Sequence, residues 1–313
     1  MNALSGKVTL VTGASGFIGA ATARRLQDAG AIVHGVSRRV QVQGGCARWW
    51  QADVTDIAEV RRVLAAVEPA IVIHLAGLAS GARELEMVLP MLQANLLAAV
   101  NLLVATTERP VARLVFGGSL EEQHPLVAWP VPSSPYAAAK LAAGAYLRMC
   151  HALYGTRAVW LRLAMVYGPG QSDVRKLIPH VTVSLLRGEA PALSSGTRPV
   201  DWVYIDDVVD ALLAAAVAEG IEGRTLDVAC GEHVSVREVA EQIGRLVGSA
   251  VSPRFGALPE RPLEQVRVAD VEPTAACLGW RARTPLEEGL RRTVDWYRRH
   301  GPASHYGPAS RNP

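Results

Sequence analysis

The stretch Val8-Thr9-Leu10-Val11-Thr12-Gly13-Ala14-Ser15-Gly16-Phe17-Ile18-Gly19 decides the fold. Val8 to Thr12 reads as a short buried strand, and the glycines after it fall as G-x-x-G-x-x-G before a helix that runs through Leu26. Glycines so placed allow a tight turn, a close approach of backbone to a pyrophosphate, and close packing of helix on strand, with the helix N-terminus facing the anion. Glycines between a strand and a helix can also be purely structural. Their place after the first strand favours a dinucleotide site, with Gly13, Ser15, Gly16, Phe17, Ile18 and Gly19 as candidate cofactor residues.

The next strand, Ala31 to Val36, ends at Ser37-Arg38-Arg39. A carboxylate there would accept from an adenosine ribose 2′-hydroxyl and repel a 2′-phosphate; a hydroxyl followed by arginines does the opposite. Ser37 and Arg38 therefore point to NADP(H) over NAD(H), the alternative being a solvated basic turn. A brief third strand ends at Ala52-Asp53-Val54-Thr55-Asp56, where Asp53 either accepts from an adenine amino group or caps the helix starting near Asp56. The fourth strand, from Ala70, runs through His74 into Leu75-Ala76-Gly77, where a nicotinamide-side ribose would need room. A long helix over about 88–107 holds Asn95, expected to brace the sheet. A fifth strand breaks at Gly117-Gly118-Ser119-Leu120-Glu121-Glu122, and Val159 to Val166 reads as a sixth. Strand and helix alternate throughout, which argues for an α/β fold with a parallel doubly wound sheet. Ser119 then lies in the crevice where such sheets bind ligands.

Between these strands stands Ser133-Ser134-Pro135-Tyr136-Ala137-Ala138-Ala139-Lys140. Proline at a first helical position after a serine able to cap marks a helix start. Tyr136 and Lys140 are then one turn apart on one face, with only alanines between them. An ammonium near a phenol favours the phenolate, so Lys140 is expected to pull the Tyr136 pKa down toward neutrality. The other reading is a Tyr/Lys pair on a solvated helix.

The chain has 313 residues, half of them hydrophobic, with a formal net charge of +3. That length can bury one large core or two smaller ones. The scattered arginines form no polybasic footprint for nucleic acid or membrane. Cys46, Cys150, Cys230 and Cys277 have no metal-ligand spacing, so no metal is expected and a reducing, cytoplasmic setting is. No leader is read at the start, and no apolar run is expected to span a bilayer. Beyond Gly170 the alternation loosens. The expected division is a dinucleotide-binding domain of 1–166 and 200–228, a smaller lobe of 167–199 and 229–300, and a flexible tail over 301–313.

Taken together, Gly13-x-x-Gly16-x-x-Gly19, Asp53-Val54, His74-Leu75-Ala76, Ser119, Tyr136-x-x-x-Lys140, Tyr167-Gly168-Pro169-Gly170, Asp206-Asp207-Val208 and Leu278-Gly279-Trp280 resemble the extended short-chain dehydrogenase/reductase superfamily, in its nucleotide-sugar branch. The resemblance covers roughly residues 6 to 299. It implies a Rossmann-type sheet with a second, smaller α/β substrate lobe, a nucleotide-diphosphate sugar as substrate, and a Ser/Tyr/Lys set. Ser119 would hold the reacting oxygen, Tyr136 would move its proton, and Lys140 would position the nicotinamide ribose and tune Tyr136. It also implies a homodimer through a four-helix bundle of the helices near 88–107 and 135–153. Gly118 to Glu122, Gly168 to Ser172 and Arg261-Pro262-Leu263-Glu264 most resemble the 4-keto-6-deoxysugar reductases of the GDP-rhamnose-forming type. By that likeness Arg261 would bind a substrate phosphate and Glu264 a ribose, with Glu121, Leu177 and Arg198 further candidates at the sugar nucleotide. Glu121 could also remove a C5 proton in a dehydratase. The chain departs from the branch in a shorter loop before Tyr136, in Met165 where many relatives carry asparagine, and in Arg198-Pro199-Val200-Asp201. The expected activity is NADPH-dependent reduction of a 4-keto group. The alternatives are 4-epimerisation or 4,6-dehydration with bound NAD(P), a non-nucleotide ketone reductase, and a non-catalytic NADP sensor.

Overall fold

The computed structural model describes residues 3–39, 45–122 and 131–301. In chain order the elements are β1 Val8–Thr12, α1 Phe17–Asp28, β2 Ile32–Ser37, β3 Arg48–Gln51, α2 Ile57–Val67, β4 Ile71–His74, α3 Val88–Met91, α4 Ala98–Glu108, β5 Arg113–Ser119, α5 Pro135–Tyr154 and β6 Ala158–Leu163. There follow β7 Met165–Tyr167, α6 Leu177–Leu186, β8 Pro199–Val200, β9 Trp202–Tyr204, α7 Ile205–Val217, β10 Thr225–Val228, β11 Val234–Ser235, α8 Val236–Val247, α9 Glu272–Leu278 and α10 Leu286–His300.

Two compact units emerge. One takes Met1–Ala164, Val208–Val228 and Ala269–Arg281; the other takes Met165–Asp207, Ala229–Val268 and the chain from Ala282. The first unit is a seven-stranded sheet in the order β10-β6-β5-β4-β1-β2-β3, parallel at every pairing. Its central strands are covered on both faces, so they read as apolar runs such as Ile71-Val72-Ile73 and Leu114-Val115-Phe116, all buried. The chain winds outward from β1 through β2 to β3, then returns to lay β4 on the other side of β1. That reversal is the switch point where such sheets open a crevice at the carboxyl ends of their strands.

The division differs from the sequence expectation in two places. Residues 200–207 belong to the second unit, because β9 pairs with β7 there: Met165 lies beside Trp202 and Tyr167 beside Tyr204. The expected sixth strand therefore stops at Leu163, and Met165–Tyr167 joins a different sheet. Residues 269–281 belong to the first unit, tied to β10 by Asp227. The Asp227 carboxylate accepts from the Asp270 N–H at 2.9 Å, and the Asp227 carbonyl accepts from Thr274 Oγ1 at 2.7 Å. Asp227 also pairs with Arg162 of β6 at 2.5 Å. Beyond Gly301, the tail expected over 301–313 lies outside the described residues.

The helix expected over 88–107 spans Leu85–Glu108 as a 3₁₀ turn, α3, a π-helical stretch over Leu92–Leu97, and α4. By length and composition alone it is long and apolar enough to cross a membrane, a test that the core helices of soluble proteins also pass. In the fold, Met91, Ala98, Ala99, Leu102 and Leu103 are buried in the first unit.

In the second unit, β7 pairs with β9 and β8 with β11, the latter antiparallel. Asp201, between β8 and β9, is buried and accepts from the Cys230 and Gly231 N–H groups at 2.9 and 2.7 Å. A short carboxylate thus fixes the turn after Ala229.

Candidate functional site

Gly13 leaves β1 with φ +70°, in the left-handed region that glycine tolerates. A Cβ on it would stand 2.6 Å from the Ala76 nitrogen, so only glycine lets the first turn lie against the end of β4. A Cβ on Gly19 would strike the Gly13 carbonyl. The third glycine therefore packs α1 against the loop itself. Gly16 caps α1 with no side-chain hydrogen bond, and the first turn carries no acidic residue. The α1 N-terminus, with half-buried Ser15, Phe17 and Ile18 around it, suits an anion. A cradle closed to any Cβ beside a helix start without acids fits a dinucleotide pyrophosphate.

Ser37 and Arg38 stand at the carboxyl end of β2, where Ser37 Oγ accepts from the Arg39 N–H at 3.2 Å and Arg38 is exposed. Of the two roles open to Asp53, helix capping falls to Asp56, which accepts from the Ala58 and Glu59 N–H groups. Asp53 Oδ1 accepts from the Thr55 N–H and hydroxyl at 2.9 and 2.8 Å, and Val54 packs on the core. Beyond β4, Leu75 and Ala76 are half-buried and Gly77 is exposed. Asn95 does not brace the sheet. Its Nδ2 donates to the carbonyls of Leu78 and Met91 at 3.1 and 3.2 Å, holding the loop after β4. His74 is buried, with Nδ1 2.7 Å from Thr12 Oγ1. Burial, with the Lys140 charge second, pushes its pKa down to about 3, so the ring is neutral and serves packing.

Ser134 caps α5 by accepting from the Ala137 N–H, and Pro135 opens the helix. Tyr136 is half-buried; Ser119, at the end of β5, is 8% exposed and Lys140 6%. The expected effect of Lys140 on Tyr136 is not what the structure shows. Lys140 Nζ donates to the Gly117 carbonyl at 2.7 Å and stands 6.0 Å from the Tyr136 ring centre. Burial raises the Tyr136 pKa to about 12; a hydrogen bond with Ser119 opposes this, and the charges of Glu122 and Glu121 add to it. Burial also lowers the Lys140 pKa to about 8, against the pull of Glu122. At neutral pH the pair is thus a phenol beside an ammonium.

Glu121 is half-buried and accepts from the Ser133 hydroxyl at 3.4 Å. Two neighbours went unread in the sequence, Glu122 and Trp160. Glu122 accepts from the Ser119 N–H at 2.6 Å, and the Trp160 indole N–H donates to both its oxygens, at 3.0 and 2.9 Å. One signal was available: a tryptophan inside a central strand has an indole N–H that must find a partner.

Ser119, Glu121, Tyr136, Lys140 and the glycine loop lie in the first unit, and the remaining substrate candidates in the second. There Arg198 and Glu264 pair with each other at 3.2 Å, Arg261 is exposed, and Leu177 opens α6 half-buried. Glu264, expected to take a ribose, is the counter-ion of Arg198.

A glycine loop at the switch point of a doubly wound sheet, with tyrosine and lysine one helical turn apart, is the build of an extended short-chain dehydrogenase/reductase. Residues 9–229 match the NAD dependent epimerase/dehydratase family, and the chain belongs to that family. It is an enzyme that uses a nicotinamide dinucleotide, with nucleotide-sugar enzymes as its relatives. A UDP-glucose 4-epimerase of Mycolicibacterium smegmatis is 31% identical, covering 93% of this chain and 98% of its own. A dTDP-glucose 4,6-dehydratase of Neisseria meningitidis is 28% identical, covering 92% of each chain. The structure of a Thermus thermophilus UDP-glucose 4-epimerase in complex with NAD superposes with a TM-score of 0.82 at 30% identity, covering 93% of this chain and 99% of its own.

Proposed function

We propose that this protein interconverts C4 epimers of a nucleotide-diphosphate hexose. The observation that carries the reading is the Ser119, Tyr136 and Lys140 set at the carboxyl end of the sheet, in a chain similar over nearly its whole length to 4-epimerases. The glycine loop would hold a nicotinamide dinucleotide, which would supply the hydride acceptor. Ser119 Oγ holds the C4 oxygen. Tyr136 Oη takes the hydroxyl proton during oxidation and gives it back after the 4-keto sugar has turned over. With its pKa raised to about 12, Tyr136 is a competent neutral donor for the second step, and it must give up its own proton before it can take the sugar's in the first. Loss of water across C5–C6 would need a base and an acid. Glu121 is one carboxyl, but Glu122 is engaged by Ser119 and Trp160, which speaks against a dehydratase.

A second reading, reduction of a 4-keto-6-deoxy nucleotide sugar, is favoured by Ser37 and Arg38, because an NADPH pool drives net reduction. The product assay separates the two. With UDP-glucose, UDP-galactose and 4-keto-6-deoxy nucleotide sugars offered in turn, an epimerase equilibrates a pair of epimers with no net change at 340 nm. Stoichiometric NADPH oxidation on a keto sugar overturns epimerisation in favour of the reductase.

The exposed apolar residues Leu85, Leu89 and Leu92, with Met149 and Leu153 of α5, lie on helices of the first unit. We propose that they form the two-fold interface of a homodimer. Light scattering at micromolar concentration is expected to give twice the chain mass of 33.4 kDa, and a monomer mass overturns the interface.

A further inference from the structure

We infer that Glu122 is a positioning residue for this centre: its buried carboxylate clamps the Ser119 main chain to the Trp160 indole and supplies the counter-charge of the Lys140 ammonium. After Ser119 the chain makes one 3₁₀ turn, Leu120–Glu122, which brings the Glu122 side chain back to β5. Its Oε1 receives the Ser119 N–H, and both oxygens receive the indole N–H of Trp160 in β6. The space is cleared by two glycines. A Cβ on Gly118 would strike Trp160 Nε1 and come within 2.8 Å of Glu122 Oε1; one on Gly144 of α5 would stand 3.3 Å from Glu122 Oε2.

Trp160 joins the two charges. Its edge donates to Glu122, while Lys140 Nζ lies 5.7 Å from the ring centre. An indole accommodates both at once, since its face is negative and its N–H edge positive. Burial raises the Glu122 pKa, and the Ser119 N–H, the Trp160 indole and the Lys140 and Arg162 charges oppose this, so its ionised form depends on these partners. A glutamine amide keeps one acceptor oxygen, which suffices for the Ser119 and Trp160 N–H groups that Oε1 receives. The charge is what glutamate adds. Of the titratable groups around them, His74 on β4 is neutral, Arg162 on β6 acts with Lys140 on Glu122, and Glu121 acts with Glu122 on Tyr136. Among these, Glu122 is the one that holds the Lys140 pKa up against burial.

The test needs no substrate, so it stands apart from the choice of reaction. The chain has three lysines, Lys7, Lys140 and Lys176, so protein labelled with ε-¹³C-lysine gives three resonances, and Lys140→Arg identifies one of them. In the wild type that resonance is expected to titrate near 8. In Glu122→Gln the midpoint should fall by roughly one unit, while Lys7 and Lys176 stay where they were. The alkaline limb of kcat should move the same way, with KM little changed. An unchanged Lys140 midpoint in folded Glu122→Gln overturns the proposal. Should that variant not fold, the wild type still decides. As Glu122 takes up its proton below the Lys140 midpoint, the Lys140 resonance must show a second, smaller inflection, and its absence overturns the counter-charge.

Discussion

Tyr136→Phe is expected to lower turnover by about 10²–10⁴, with little change in cofactor affinity. The phenylalanine ring keeps the packing of a half-buried side chain at the second residue of α5, so the helix and its Ser134 cap are undisturbed. What goes is the one O–H that meets Ser119 and can exchange a proton with the sugar oxygen. Lys140 Nζ is turned toward the Gly117 carbonyl, to which it donates. Turnover measured at saturating sugar nucleotide, together with a fluorescence titration of the cofactor, checks both halves. A variant that keeps most of its turnover removes Tyr136 from the chemistry.

The second large effect concerns the cofactor. Ser37 and Arg38 stand at the end of β2 without a carboxylate, and a charge-assisted contact from Arg38 to a 2′-phosphate should give roughly a ten- to hundredfold preference for NADP(H) over NAD(H). Ser37→Asp combined with Arg38→Ala should abolish or reverse that preference, because the new carboxylate accepts from a ribose hydroxyl and repels a phosphate. Dissociation constants of the two cofactors for both proteins are the measurement. Equal affinities in the wild type would make Arg38 an ordinary solvated arginine. The Thermus thermophilus structure holds NAD, so a measured preference for NADP(H) would also mark where this chain parts from that relative.

The sequence by itself determined the first sheet, the glycine loop and the start of α5. Each rests on short-range rules: apolar strands buried on both faces, glycines where a Cβ would collide, and a serine cap followed by proline. Only the tertiary structure decided the rest. Residues 200–207 pair with Met165–Tyr167, and 269–281 return to Asp227, through partners more than 30 residues away that no local pattern announces. Arg198 and Glu264, read as two separate ligands, lie 66 positions apart in the chain and became an ion pair only on folding. The Tyr136 pKa moved up although its neighbour in sequence is a lysine, because burial and two carboxylates outweigh a cation turned toward Gly117. Glu122 and Trp160 met across 38 positions for the same reason. Spacing along a helix tells which side chains share a face; desolvation and the charges brought in by other strands decide what those side chains do.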